Sequence, residues 1–98
     1  MNKKSILIFG VGVLQESLIK RCKAKGLYTV GIDPNSDAQC KNLTDVFEVV
    51  AGNDFASTLA IAKKYEICGI VTAATDKPLV MMARIAKELN LPFFSFNR

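Results

Sequence analysis

The chain has 98 residues, half of them hydrophobic and 22% charged, with a net charge of +4 and neither histidine nor tryptophan. That size and balance suit one globular domain, which buries roughly 60% of its unfolded surface, rather than a disordered chain. Histidine-based triads and histidine metal sites are excluded, and no apolar run approaches the roughly 20 residues that span a membrane.

The lysines and arginines are spread along the chain, with no basic run longer than Lys3-Lys4, Lys20-Arg21 or Lys63-Lys64. Nucleic-acid binders gather such charge in a stripe or interleave it with aromatics, so neither a nucleic-acid nor a membrane partner is expected. Met1-Asn2-Lys3-Lys4 precedes an apolar stretch in the manner of a signal peptide, but the stretch breaks at Gly10 and no small-residue cleavage site follows. A mature cytoplasmic protein is expected. Cys22, Cys40 and Cys68 are odd in number, far apart and without a Cys-x-x-Cys. They read as reduced structural thiols and make a poor zinc set.

Ile6-Leu7-Ile8-Phe9 is an apolar run stopped by Gly10 and Gly12, which predicts a strand buried on both faces followed by a tight turn. A helix then carries Leu14, Leu18 and Cys22 on one stripe, with Ile19 beside it. It ends at Lys25-Gly26, where the glycine is a left-handed cap. Tyr28–Asp33 predicts the second strand. Ser36-Asp37-Ala38-Gln39 has capping-box spacing and predicts a short helix to about Leu43. Val46–Val50 is the third strand, and its one charge, Glu48, places it near the sheet edge. Asn53 or Asp54 caps a helix from Phe55 to Tyr65 whose inner face is Phe55, Leu59 and Ala62. Gly69–Ala73 is the fourth strand. Ala74-Thr75-Asp76-Lys77-Pro78 opens the last long helix, with Leu79, Met82, Ala86 and Leu89 on one side and Asn90 at its C-cap. Phe93-Phe94-Ser95-Phe96 is a fifth strand or its start.

This alternation predicts an α/β fold: a Rossmann-like open parallel sheet of about five strands, order 3-2-1-4-5, with helices on both faces. In such sheets ligands sit beyond the carboxyl ends of the strands, where the winding reverses. The loops there are Gly10–Gln15, Asp33–Ser36 and Ala73–Lys77, with Gly52–Asp54 nearby. Gly10 and Gly12 let a ligand approach the backbone, and the following helix aims unpaired N–H groups at an anion. Gly10-x-Gly12 with Asp33 closing the next strand resembles the dinucleotide fingerprint, although Gln15 stands where its third glycine belongs. Asp33, Asp54 and Asp76 invite an acidic metal cluster, yet each also sits where turns and N-caps use aspartate.

Gly10-x-Gly12-x-Leu14-Gln15, Val30-Gly31-Ile32-Asp33-Pro34-Asn35, Ala51-Gly52-Asn53-Asp54 and especially Thr72-Ala73-Ala74-Thr75-Asp76-Lys77-Pro78 together resemble the N-terminal, pre-ATP-grasp domain of ATP-grasp ligases. The similarity is to the carbamoyl-phosphate synthase large-subunit-like group, near phosphoribosyl-carboxyaminoimidazole and biotin carboxylase relatives. It covers essentially the whole chain. The resemblance implies a substrate-side domain that helps bind a small carboxylate, with Gly10, Gly12, Gln15, Asp33, Thr75 and Asp76 facing the substrate cleft. ATP and Mg²⁺ would be held by grasp domains that lie outside residues 1–98, supplied in the same polypeptide or by a separate one. The chain is therefore expected to hold no cofactor itself and not to be catalytic alone. It would dock on a grasp partner or self-associate. Two other readings stay open from the residues: a small regulatory module binding NAD or a related nucleotide through Gly10, Gly12 and Asp33, and an interaction domain without a ligand.

Overall fold

The computed structural model describes residues 4–11, 16–51, 54–72, 76–91 and 93–95. The apolar run becomes the central strand, β1 (Ser5–Phe9), and Ile6, Leu7, Ile8 and Phe9 are all buried. There follow α1 (Glu16–Ala24), β2 (Tyr28–Asp33), a 3-10 turn (Lys41–Leu43), β3 (Val46–Val49), α2 (Phe55–Lys64), β4 (Ile67–Thr72), α3 (Asp76–Leu89) and β5 (Phe93–Ser95). All pairings are parallel, in the order β3-β2-β1-β4-β5. This is the Rossmann-like order that the alternation of elements predicts.

Because successive strand side chains alternate, β1 feeds two cores. Leu7 and Phe9 pack with Ala62 of α2 and with Met82, Ile85 and Ala86 of α3. Ile6 and Ile8 pack on the other face with Leu18, Ile19 and Cys22 of α1. Helices thus lie on both faces, as a parallel sheet requires. Arg84 sits 4.1 Å from the centroid of the Phe55 ring, joining α3 to the start of α2 by a cation–π contact.

Several helix ends follow from local chemistry. Gly26 (φ +79°) closes α1, with its N–H donating to Lys23 O at 2.9 Å and Leu27 N–H to Cys22 O at 3.1 Å. Asn90 (φ +56°) closes α3 with the same pair of bonds, to Lys87 O and Ala86 O. These are Schellman motifs. Asp54 caps α2, its Oδ1 accepting from Ser57 N–H at 3.0 Å. That bond holds the carboxyl below its usual range.

The structure corrects the sequence reading at four places. The capping-box helix over 36–43 does not form. Asn35 Oδ1 accepts from Asp37 N–H at 2.9 Å instead, which fixes a turn, and only Lys41–Leu43 winds into 3-10 geometry. β4 begins two residues earlier, at Ile67. In α2 the fully buried positions are Thr58 and Ala62, while Phe55 and Leu59 are half-buried. Thr58 tolerates burial because its hydroxyl donates to Asp54 O at 2.9 Å. In α3 the core includes Ile85. Leu14, Asn53, Ala73 and Phe96 lie outside the described residues.

Edge strand β3 carries Glu48, as expected. Its carboxylate is met by the Tyr65 hydroxyl at the end of α2, 2.9 Å away. Between β1 and β4 the register skips one residue, Ser5 facing Ile67 and Ile6 facing Gly69. Cys68 occupies the bulge and is exposed, whereas Cys22 and Cys40 are buried and all three are free thiols. Burial pushes the Cys22 and Cys40 thiols above their usual range. Among the described residues no helix is long and apolar enough to cross a membrane.

Two outcomes test this packing. A Cβ at Gly31, in the middle of β2, would lie 2.8 Å from both Val11 Cγ2 and Thr44 Cγ2. These are short, branched side chains with little room to give, so Gly31→Ala should destabilise by about 1–3 kcal/mol in urea unfolding. Asp54→Ala should lower the melting temperature at neutral pH. The Asp54 carboxyl is depressed in the fold, so its contribution is full above the ordinary aspartate pKa of about 3.9 and is lost as pH falls through the lower folded value. The difference in melting temperature between the two proteins should therefore close in acid.

Candidate functional site

The carboxyl ends of β1 and β2 meet at one residue, Asp33. Its Oδ2 accepts from Val11 N–H at 2.9 Å, immediately after the turn glycine. Its Oδ1 accepts from Asn35 N–H at 2.9 Å, closing an Asx turn. Its carbonyl accepts from Val50 N–H at 3.1 Å, at the exit of β3. One aspartate therefore ties three segments of the sheet edge together.

Gly10 occupies the left-handed region, φ +89°, which the reversal after β1 demands and which favours glycine. Its N–H donates to Ile32 O at 2.8 Å, extending the β1–β2 ladder by one bond. Val11 is fully buried, and its carbonyl accepts from Cys40 N–H at 2.8 Å. The glycine turn is thus fastened from β2 on one side and from the loop preceding the 3-10 turn on the other.

A second clamp stands at the opposite end of β2. The amide and hydroxyl of buried Thr29 donate to Asp45 Oδ2 at 2.8 and 2.9 Å, and Asp45 N–H donates back to Thr29 Oγ1 at 2.9 Å. It fixes the entry to edge strand β3 against β2.

Of the six residues expected at the cleft, Gly10 and Asp33 come together beside the turn, and Asp76 opens α3 after β4. Gly12, Gln15 and Thr75 lie outside the described residues. The Asp33 carboxylate, set aside in the sequence for a ligand, is first of all a backbone acceptor. Each oxygen already holds one backbone N–H and keeps a further acceptor site. The residues that sequence reasoning missed are Val11, Asn35 and Cys40, which act through main-chain N–H and C=O groups. Asp-Pro-Asn is turn chemistry and could have signalled Asn35. Nothing in the side chains of Val11 or Cys40 signals their part. Among the described residues no three carboxylates or thiols gather to hold a metal ion, and Asp54 is occupied with its cap.

No family model matches the sequence, and no curated protein matches it. Solved structures do resemble it. Phosphoribosylglycinamide synthetase from Anaerococcus prevotii is 29% identical with a TM-score of 0.77, over 91% of this chain and 23% of that one. N5-carboxyaminoimidazole ribonucleotide synthetase from Thermus thermophilus is 23% identical with a TM-score of 0.74, over 90% and 23%. L-threonine dehydrogenase from Clostridium difficile is 22% identical with a TM-score of 0.73, over 97% and 36%. The last two show the shared fold. The chain spans about a quarter of the length of the two synthetases. Its structural neighbours thus include ligases of the ATP-grasp superfamily.

The clamp has a direct test. Asp33→Ala removes a charged acceptor from two N–H groups and should destabilise by about 1.5–3 kcal/mol. Amide exchange should accelerate at Val11 and Asn35 ahead of the β1 interior, a pattern that general loosening of the sheet would not give.

Proposed function

We propose that this chain is the substrate-side domain of an ATP-grasp carboxylate–amine ligase. The observation that carries the reading is the likeness to phosphoribosylglycinamide synthetase along nine-tenths of the chain, at 29% identity. The same residues carry the glycine turn and the Asp33 clamp at the sheet edge where such a substrate would sit. In this reading Gly10, Gly12, Gln15, Asp33, Thr75 and Asp76 line the substrate side of a cleft. Asp33 acts by holding the turn in shape. The grasp that holds ATP and Mg²⁺ comes from another part of the same polypeptide or from a partner, and residues 1–98 alone catalyse nothing.

The Thr72–Pro78 stretch favours the carbamoyl-phosphate synthase-like group within the superfamily. The resemblance to two synthetases whose names carry a phosphoribosyl or ribonucleotide group makes a phosphorylated sugar amine the competing substrate. The nucleotide-binding alternative draws on the fold shared with the threonine dehydrogenase. It is disfavoured because Gln15 stands where the third glycine of the dinucleotide fingerprint belongs.

Thermal unfolding with ATP·Mg²⁺, NAD⁺, bicarbonate, small carboxylates and ribose 5-phosphate tests the reading. A ligand bound only by the folded state raises the midpoint by mass action, by about 2.7 kcal/mol of stability at a hundredfold excess over Kd. The expected result is stabilisation by a carboxylate or by the sugar phosphate and none by either nucleotide. Stabilisation by NAD⁺ alone would overturn the proposal.

A further inference from the structure

Residues 34–44 connect β2 to β3 without a strand of their own, and Pro34, Asn35, Ser36 and Asp37 are all exposed. Two small side chains are turned inward. Ala38 and Cys40, each 5% exposed, belong to the same apolar cluster as Val11 and Ile19. The connection keeps its shape by local bonds. Asp37 N–H donates to Asn35 Oδ1 at 2.9 Å, Ala38 N–H to Asn35 O at 3.1 Å and the Lys41 ammonium to Ser36 O at 2.9 Å.

Two of its attachments converge on the residue after Gly10. Cys40 N–H donates to the Val11 carbonyl at 2.8 Å. Asn35 N–H donates to Asp33 Oδ1, while Oδ2 of the same carboxylate accepts the Val11 N–H. Both main-chain polar groups of Val11 therefore depend on the connection, one directly and one through Asp33. A segment held by turns and two small buried side chains opens at lower free energy than paired strands do. When it lifts, Val11 O loses its donor and the Asp33 carboxylate loses one of the two N–H groups that orient it.

We infer that residues 34–44 are a latch on the Gly10–Val11 turn, and that latch and turn open together as one unit ahead of the sheet. The form of the turn that a ligand would meet exists only while the latch is closed, so apparent affinity there falls with the open fraction. The coupling rests on these bonds and is independent of the ligase reading.

Native-state amide exchange at increasing urea, with parallel iodoacetamide labelling of the thiols, tests the coupling. The amides of Val11, Ala38 and Cys40 should share one opening free energy and one urea dependence, both smaller than those of Leu7 and Ile70 in the paired strands. Cys68 is exposed and should label at once, whereas the buried Cys40 thiol should label through the opening it shares with those three amides. Asn35→Ala removes the acceptor of Asp37 N–H and leaves the main-chain bonds in place. It should speed exchange at Val11, Ala38 and Cys40 by one common factor, about two- to tenfold. Ile70→Val weakens the sheet and should speed Leu7 while leaving that trio unmoved. Melting temperatures verify that both variants fold. The inference is overturned if Val11 stays protected while Ala38 and Cys40 exchange, or if Asn35→Ala leaves Val11 unmoved. A urea dependence for the trio equal to that of Leu7, or a trio that Ile70→Val speeds as much as the strands, would overturn it as well.

Discussion

The sheet edge is organised by a carboxylate that serves the backbone. Asp33 accepts N–H groups from Val11 and Asn35 through its side chain and from Val50 through its carbonyl. Leaving a buried N–H such as that of Val11 without an acceptor is destabilising by about 1–3 kcal/mol, whereas the Asn35 N–H on the other oxygen is exposed and loses less. Asp33 also settles where Gly10 and Val11 lie relative to β2. Gly31, two residues earlier on the same strand, lets Val11 and Thr44 close on β2 from above, since any Cβ there would collide with both. The turn is held from below by packing and from the side by charge.

Much of this architecture was legible in the sequence because the signals were local. The four-residue apolar run before Gly10, Gly26 after the last basic turn of α1, Asp54 before Phe55 and the lone charge of β3 each have one dominant physical meaning. The strand order follows from their alternation and the handedness of crossovers. The stretch around 36–39 misled because its capping-box spacing competes with the Asp-Pro-Asn turn just ahead of it. Asn35 takes the Asp37 N–H first, and the helix has no start. The Asp33 clamp was only half legible. The acid at the end of β2 stood out, but its partners are main-chain groups with no sequence signature. The early start of β4 depends on the bulge at Cys68, a register feature set by β1 across the sheet.

The proposed function would use the same sheet edge that Asp33 organises. Glycine with positive φ gives close approach, while Asp33 gives that approach a fixed form. The carboxylate beside the turn makes the local field less welcoming to a pyrophosphate than bare N–H groups would be. Under the proposed function, this favours a substrate positioned by shape over a dinucleotide gripped at the turn.

The strand order also governs how the chain can be made. β1 is complete by residue 9 and gains β2 within the next two dozen residues, but its other neighbour, β4, begins only at Ile67. Until then the most apolar strand of the sheet has one open edge, and closing it needs a contact across some sixty positions. Loop closure over that distance precedes any reward from pairing, which makes it the slow event of folding and the interval of greatest exposure to aggregation. The residues that end that interval, Ile70 and Val71, leave the ribosome long after the strand they protect.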